Sequence, residues 1–127
     1  MNAALKRVAT TLHDHALAMP EAWPDSPWGD SVAKVGKKIF VFFGSLDRLE
    51  PDWSMSVKLP ISSAEALATT NSAPTGYGLG RAGWVTITLV SSPKPDVDLL
   101  KDWIEESYRA VAPKKLSKLL DGPILRP

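Results

Sequence analysis

The chain contains no cysteine, which excludes disulfides, thiolate nucleophiles, redox pairs and cysteine-ligated zinc together. It has only two histidines, His13 and His15. Two residues apart on a helix they point to different faces, so they cannot chelate one metal as a pair. No histidine follows residue 15 and no serine sits in an elbow-like context, which leaves a Ser-His-Asp arrangement without its parts. Asp102, Glu105 and Glu106 lie close in sequence, yet Lys101 and Arg109 beside them make a solvated helix face the expected reading. No apolar run approaches the roughly 18 residues of a membrane helix, and residues 1 to 12 read as an amphipathic helix and not as a leader. A cytoplasmic protein with no membrane association is expected. Nor does one sign of charge dominate: 15 Lys and Arg face 14 Asp and Glu, for a net charge of +1. That balance argues against a strongly electrostatic nucleic-acid binder while leaving a local basic patch open. With these constellations missing, the expectation is a non-enzymatic monomer with no cofactor and no metal.

What is present fits one domain over residues 1–127, long enough for a core of ordinary size. The chain is organised around residues 76–90, where Gly76-Tyr-Gly-Leu-Gly-Arg-Ala-Gly83 runs into Trp84-Val-Thr-Ile-Thr-Leu-Val90. Gly78-x-Gly80-x-x-Gly83 matches the dinucleotide-binding glycine pattern by letter. That pattern needs a strand before it and a helix after it, and here a strand follows, so a turn requiring positive backbone dihedrals is the reading adopted. In that strand Val85, Ile87 and Leu89 form one face, with Trp84, Thr86 and Thr88 on the other.

Leu5, Val8, Ala9, Leu12, Ala16 and Met19 recur at helical spacing and predict a first helix over residues 2–18, stopped by Pro20. The proline-rich stretch 20–29 is expected to be irregular, because three prolines restrict their neighbours and remove donors. Residues 31–35 and 38–43 read as strands joined at Gly36-Lys37 in a type II′ hairpin. After a turn over residues 44–51, Trp53, Met55, Val57 and Leu59 alternate with Ser54, Ser56 and Lys58 in a third strand whose second face is expected to be wet. Ser62 and Glu65 suggest a capping box opening a short helix. After the strand from Trp84, Asp96 or Asp98 caps a helix with Val97, Leu100, Trp103, Ile104, Ser107, Tyr108 and Val111 on one face. A last turn or two from Pro113 ends at Gly122-Pro123. The order α-β-β-β-α-β-α-α implies an α+β, two-layer fold: a mostly antiparallel sheet with helices packed on one face. Trp53, Met55, Val57, Val85, Ile87 and Leu89 are the side chains expected to face those helices.

The candidate chemistry is basic and aromatic. Lys34, Lys37 and Lys38 crowd the tip of the first hairpin, Lys58 and Arg81 are expected nearby, and Trp84 should face outward from the sheet. Cations beside aromatic rings can grip phosphates and stack bases; lysines at a hairpin tip can also simply guard an edge. The alternative is a small-ligand or protein-interaction module using an aromatic surface of Trp23, Trp28, Tyr77 and Trp84.

In Leu17-Ala-Met-Pro20, Pro27-Trp28-Gly29, Lys38-Ile-Phe40, Val57-Lys58-Leu59, Gly76-Tyr77 leading to Trp84-Val85, and Trp103-Ile-Glu-Glu-Ser-Tyr108, the chain resembles the MmcQ/YjbR family of small bacterial proteins. Each piece is short; the set covers nearly the whole chain. The resemblance implies a fold similar to the frataxin/CyaY class and a proposed double-wing DNA-binding role, with Lys38, Lys58, Tyr77, Arg81 and Trp84 as the functional surface. Gly83 stands where the family often has a histidine or another polar residue. The acidic first helix that a frataxin-like iron site would need is absent, since Asp14 is the one acid in residues 1–19.

Overall fold

The computed structural model describes residues 3–26, 31–44, 53–69, 71–76, 78–90 and 94–121. In chain order the elements are α1 (Ala3–Leu17), β1 (Ala22–Asp25), β2 (Val32–Val35), β3 (Lys38–Phe43), β4 (Ser54–Lys58), α2 (Ser63–Leu67), β5 (Ser72–Pro74), β6 (Trp84–Thr88), α3 (Val97–Val111) and α4 (Lys114–Ser117). All six strands belong to one sheet in the order β1-β2-β3-β4-β6-β5, antiparallel at every step. Among the described residues no helix is long and apolar enough to cross a membrane.

Alternation decides which face is buried. Ala33, Val35, Val41, Phe43, Met55, Val57, Val85 and Ile87 join Leu5, Ala9, Leu12 and Ala16 of α1 and Leu100, Trp103, Ile104 and Tyr108 of α3 in one apolar cluster. The expected inward set is all there, with Trp53 and Leu89 buried beside Met55, Val57, Val85 and Ile87. The α+β two-layer reading therefore holds, and its register is the one that the alternation demands.

Two strands were not expected. Residues 20–29 were read as irregular, yet Ala22–Asp25 is β1, with Trp23 opposite Lys34 and Pro24 opposite Ala33. The order α-β-β-β-α-β-α-α has no strand between the short helix and the glycine loop, yet Ser72–Pro74 is β5, paired with β6. Both are the outermost strands of the sheet, where a proline's missing N–H can face away from the ladder. The capping box also fails to form: Ser62 makes no side-chain cap to its own helix. Instead Glu106 of α3 accepts from Ile61 N and Ser62 N at 2.9 Å each and from Ser62 Oγ at 2.7 Å. The second face of β4 is drier than expected, since Ser56 is 9% exposed and bonded to Thr86 Oγ1 at 2.7 Å.

Polar bonds tie α3 to the sheet. The register of β2 against β3 shifts at Ala33/Lys34; beyond it, the fully buried Ser107 hydroxyl donates to the Phe40 carbonyl and accepts from Lys58 N at 2.8 Å. One side chain thus satisfies two backbone groups of neighbouring strands, which would be costly if left unpaired. Tyr108 donates to Pro20 O at 2.6 Å, joining α3 to the exit of α1. Burial, with Glu21 nearby, pushes its phenol above the ordinary value. The caps behave as charge and geometry require: Asp96 accepts from Leu99 N at 3.1 Å at the start of α3. The turn expected over residues 44–51 lies, from Ser45 onward, outside the described residues, as does the stop at Gly122-Pro123.

Candidate functional site

The β2–β3 hairpin turns in two residues, Gly36 and Lys37, between the paired Val35 and Lys38. Gly36 has φ +61, and Glu21 is the one non-glycine residue with positive φ among the described residues, so Lys37 keeps the negative φ of a type II′ turn. The sequence expectation for this turn is met.

Directly opposite residues of an antiparallel pair share a face. Lys34, between the inward Ala33 and Val35, therefore projects from the outer face together with Trp23 of β1. The Lys34 ammonium sits 4.9 Å from the Trp23 ring centroid and 3.1 Å from Asp25 Oδ2. Trp23 Nε1 donates to Gly36 O at 3.0 Å, which pins the indole to the turn while leaving the residue 41% exposed. The Asp25 carboxyl is held below its ordinary value, first by the Ser26 N–H it accepts and then by Lys34. The hairpin tip thus carries an immobilised open ring, one neutralised cation and the exposed Lys37 and Lys38.

Not all of the expected basic group comes together. Lys38 is opposite Val35, an inward residue, so it leaves the hairpin on the helix side while Lys34 leaves on the other. Lys58 is opposite Trp84 on the outer face of β4 and β6. Trp84 does project from that face, but it is 8% exposed, with Phe42 against it at 5.3 Å in an edge-to-face arrangement. Its ring is packed and offers no free platform. Arg81 lies exposed in a 3₁₀ turn, Leu79–Ala82, bounded by Gly78 and Gly83 at φ +78 and +91. That glycine-rich loop is the turn that positive dihedrals require.

Of the aromatic alternative, only Trp23 and Trp84 can be placed. Four strand steps separate Trp23 on β1 from Trp84 on β6, a span of about 19 Å at the usual strand spacing. Trp28 and Tyr77 lie outside the described residues.

Arg109, His13 and His15 each have neighbours within the fold. Arg109 pairs with Glu105 at 3.1 Å and Asp121 at 3.0 Å. His13 packs 4.9 Å from the Phe43 ring with Nε2 at 3.3 Å from Ser31 Oγ. His15 is pushed below its ordinary value by partial burial and then by Lys101. Among the described residues no three acidic or histidine side chains gather as a metal would need.

With the fold in view, the chain was compared with known proteins. A model of the YjbR family matches residues 17–110, from Leu17 to Ala110. The chain belongs to the YjbR family. No curated protein matches it. The YjbR match spans every strand of the sheet and most of α3, so the hairpin, Trp23 and Lys58 all fall within the matched span. Sequence reasoning missed the Trp23–Lys34–Asp25 arrangement, although the x-Trp-x-Asp alternation of a strand was there to be read in Ala22-Trp23-Pro24-Asp25.

Proposed function

We propose that this YjbR chain is a non-enzymatic DNA-binding domain that grips the phosphate backbone with the β2–β3 hairpin and lays Trp23, in place of Trp84, against a base or sugar. The observation that carries the reading is the Trp23 indole, fixed by Gly36 O yet 41% exposed, at a hairpin tip that also carries the exposed Lys37 and, on the helix side, Lys38. A rigid ring flanked by mobile cations loses little entropy on stacking and adds counterion release from each phosphate contact. Lys58 and Arg81 extend the positive surface along the outer face, and Lys34 serves chiefly to hold the ring, because Asp25 already neutralises it.

Fluorescence anisotropy of labelled duplex and single-stranded oligonucleotides across salt tests this. Replacing both Lys37 and Lys38 by alanine should weaken binding to all sequences alike and flatten the slope of log affinity against log salt by about 1.8. Trp23→Ala should lower affinity several-fold with little change in that slope, since stacking releases no counterion. Wild-type protein that binds neither form at about 50 mM salt and tens of micromolar would exclude DNA as the partner.

A further inference from the structure

On the far side of the molecule from the hairpin, the exits of α2 and β6 and the first turns of α3 enclose a cavity of about 390 Å³. Its walls are apolar, with Ile87, Leu89, Leu99 and Leu100 among them, and Trp103 lines it as well. The size lies within the usual range for small-molecule sites, which are mostly apolar with a few placed polar groups. From this cavity we infer that the chain binds a small carboxylate with an apolar body, its head toward Lys94 and its tail against the leucines. The inference is independent of the DNA reading.

The polar groups of the rim define the head. Thr69 donates its hydroxyl to Ala66 O at 2.8 Å, and Asn71 donates its side-chain amide to Thr88 O at 2.7 Å, so both are committed to the fold. Asp96 gives one oxygen to Leu99 N. Two donors remain. The Lys94 ammonium has no partner among the described residues, and neither has the Trp103 indole N–H, although Trp103 is only 3% exposed. A buried tryptophan usually finds an acceptor for that proton. No fully buried side-chain nitrogen among the described residues lacks a partner, so the N–H keeps some access to solvent, and Trp103 is one of the residues that line the cavity.

A cationic donor and a neutral donor at one apolar site call for a ligand whose polar end only accepts and carries negative charge. A carboxylate meets both conditions and leaves the rest of the volume to an alkyl or aryl body. Asp96 lines the same rim as Lys94 and keeps its net charge near neutral, so the lysine orients the ligand at short range and does not draw it from a distance.

The test is a titration of the isotopically labelled full chain with phenylacetate and hexanoate, and with their uncharged amides, read from the assigned indole N–H resonance of Trp103. The carboxylates should shift that resonance with dissociation constants of about 0.1–1 mM, and the amides should bind roughly tenfold more weakly. Lys94→Gln, at an exposed position, should cost the carboxylates the same roughly tenfold factor and leave the amides unchanged. Leu99→Trp should abolish binding by filling the cavity. No shift of the Trp103 resonance up to about 10 mM carboxylate, equal binding of acid and amide, or a Lys94→Gln variant that binds the acids as the wild type does would each overturn the proposal.

Discussion

Trp23 and Trp84 leave the same face of the same sheet and meet opposite surroundings. Trp84 stands on β6 with β4 on one side and β5 on the other, and Phe42 reaches it from β3. Trp23 stands on the outermost strand, with a neighbour on one side only, and its ring lies under the Lys34 ammonium and is bonded to the turn. Alternation along a strand tells which side of the sheet a residue takes. Whether that side is wet depends on the strands beside it, which alternation does not report. The packed ring is a core element facing away from the helices; the open ring is available to a partner.

The largest effect that could break this comparison is on stability. Trp84→Ala should destabilise by about 3–5 kcal/mol, the cost of a large-to-small change at a packed site. Trp23→Ala should cost less than about 1 kcal/mol, since it removes one partly exposed hydrogen bond and a cation–π contact. Urea denaturation midpoints at constant slope give both numbers. Equal costs would mean that the two rings do not differ in the way described, and Trp84 would return as a candidate contact residue.

The same division between interior and edge governs how much of the molecule was legible in the sequence. The interior strand β3 announces itself through the unbroken apolar run Ile39-Phe-Val-Phe-Phe43, and β4 and β6 through the Trp53–Leu59 alternation and the Val85, Ile87, Leu89 row, because a single buried face imposes period two. The stripe on α3 was equally clear, and Leu100, Trp103, Ile104, Ser107 and Tyr108 are all buried. The edges were not legible. Pro24 and Pro74 look like breakers until it is known that each lies on a strand with a free side. Glu106 could not be read either: its role is to bind the turn at Ile61 and Ser62, 45 and 44 residues away, and no local pattern encodes that distance. For the site, the lysines were visible but their sides were not, because the register shift at Ala33/Lys34 had to be known before the faces could be followed through the hairpin.

A middle-sized effect sharpens the picture at the open ring. Gly36 has φ +61, and a Cβ added there would meet nothing within 4 Å. The cost of Gly36→Ala is therefore conformational alone: about 1–2 kcal/mol for the left-handed backbone, offset by under about 1 kcal/mol from a stiffer unfolded chain. A net loss of about 1 kcal/mol is expected, together with a change in Trp23 emission as its acceptor, Gly36 O, shifts. A thermal melt and emission spectrum both unchanged would show that the turn does not hold the ring.

The smallest effect lies in the ion pair beside it. Asp25 has its carboxyl held below the ordinary value, first by Ser26 N–H and then by Lys34. A carboxyl whose folded pKa is depressed contributes stability that is present above its unfolded pKa and is lost as pH falls through the folded one. The unfolded value is near 3.9, so wild type should exceed Asp25→Asn by a small constant margin at neutral pH, and the margin should close only below about pH 4. Added salt should narrow the same margin at neutral pH, since the pair is partly open to water. Thermal melts of both proteins across pH and salt decide it. A margin that closes already near pH 6 would point to a histidine, and one that persists unchanged into acid would mean that the Asp25 charge does not hold Lys34 over Trp23. Either result would move the origin of the open ring's rigidity from the ion pair to the bond between Trp23 and Gly36.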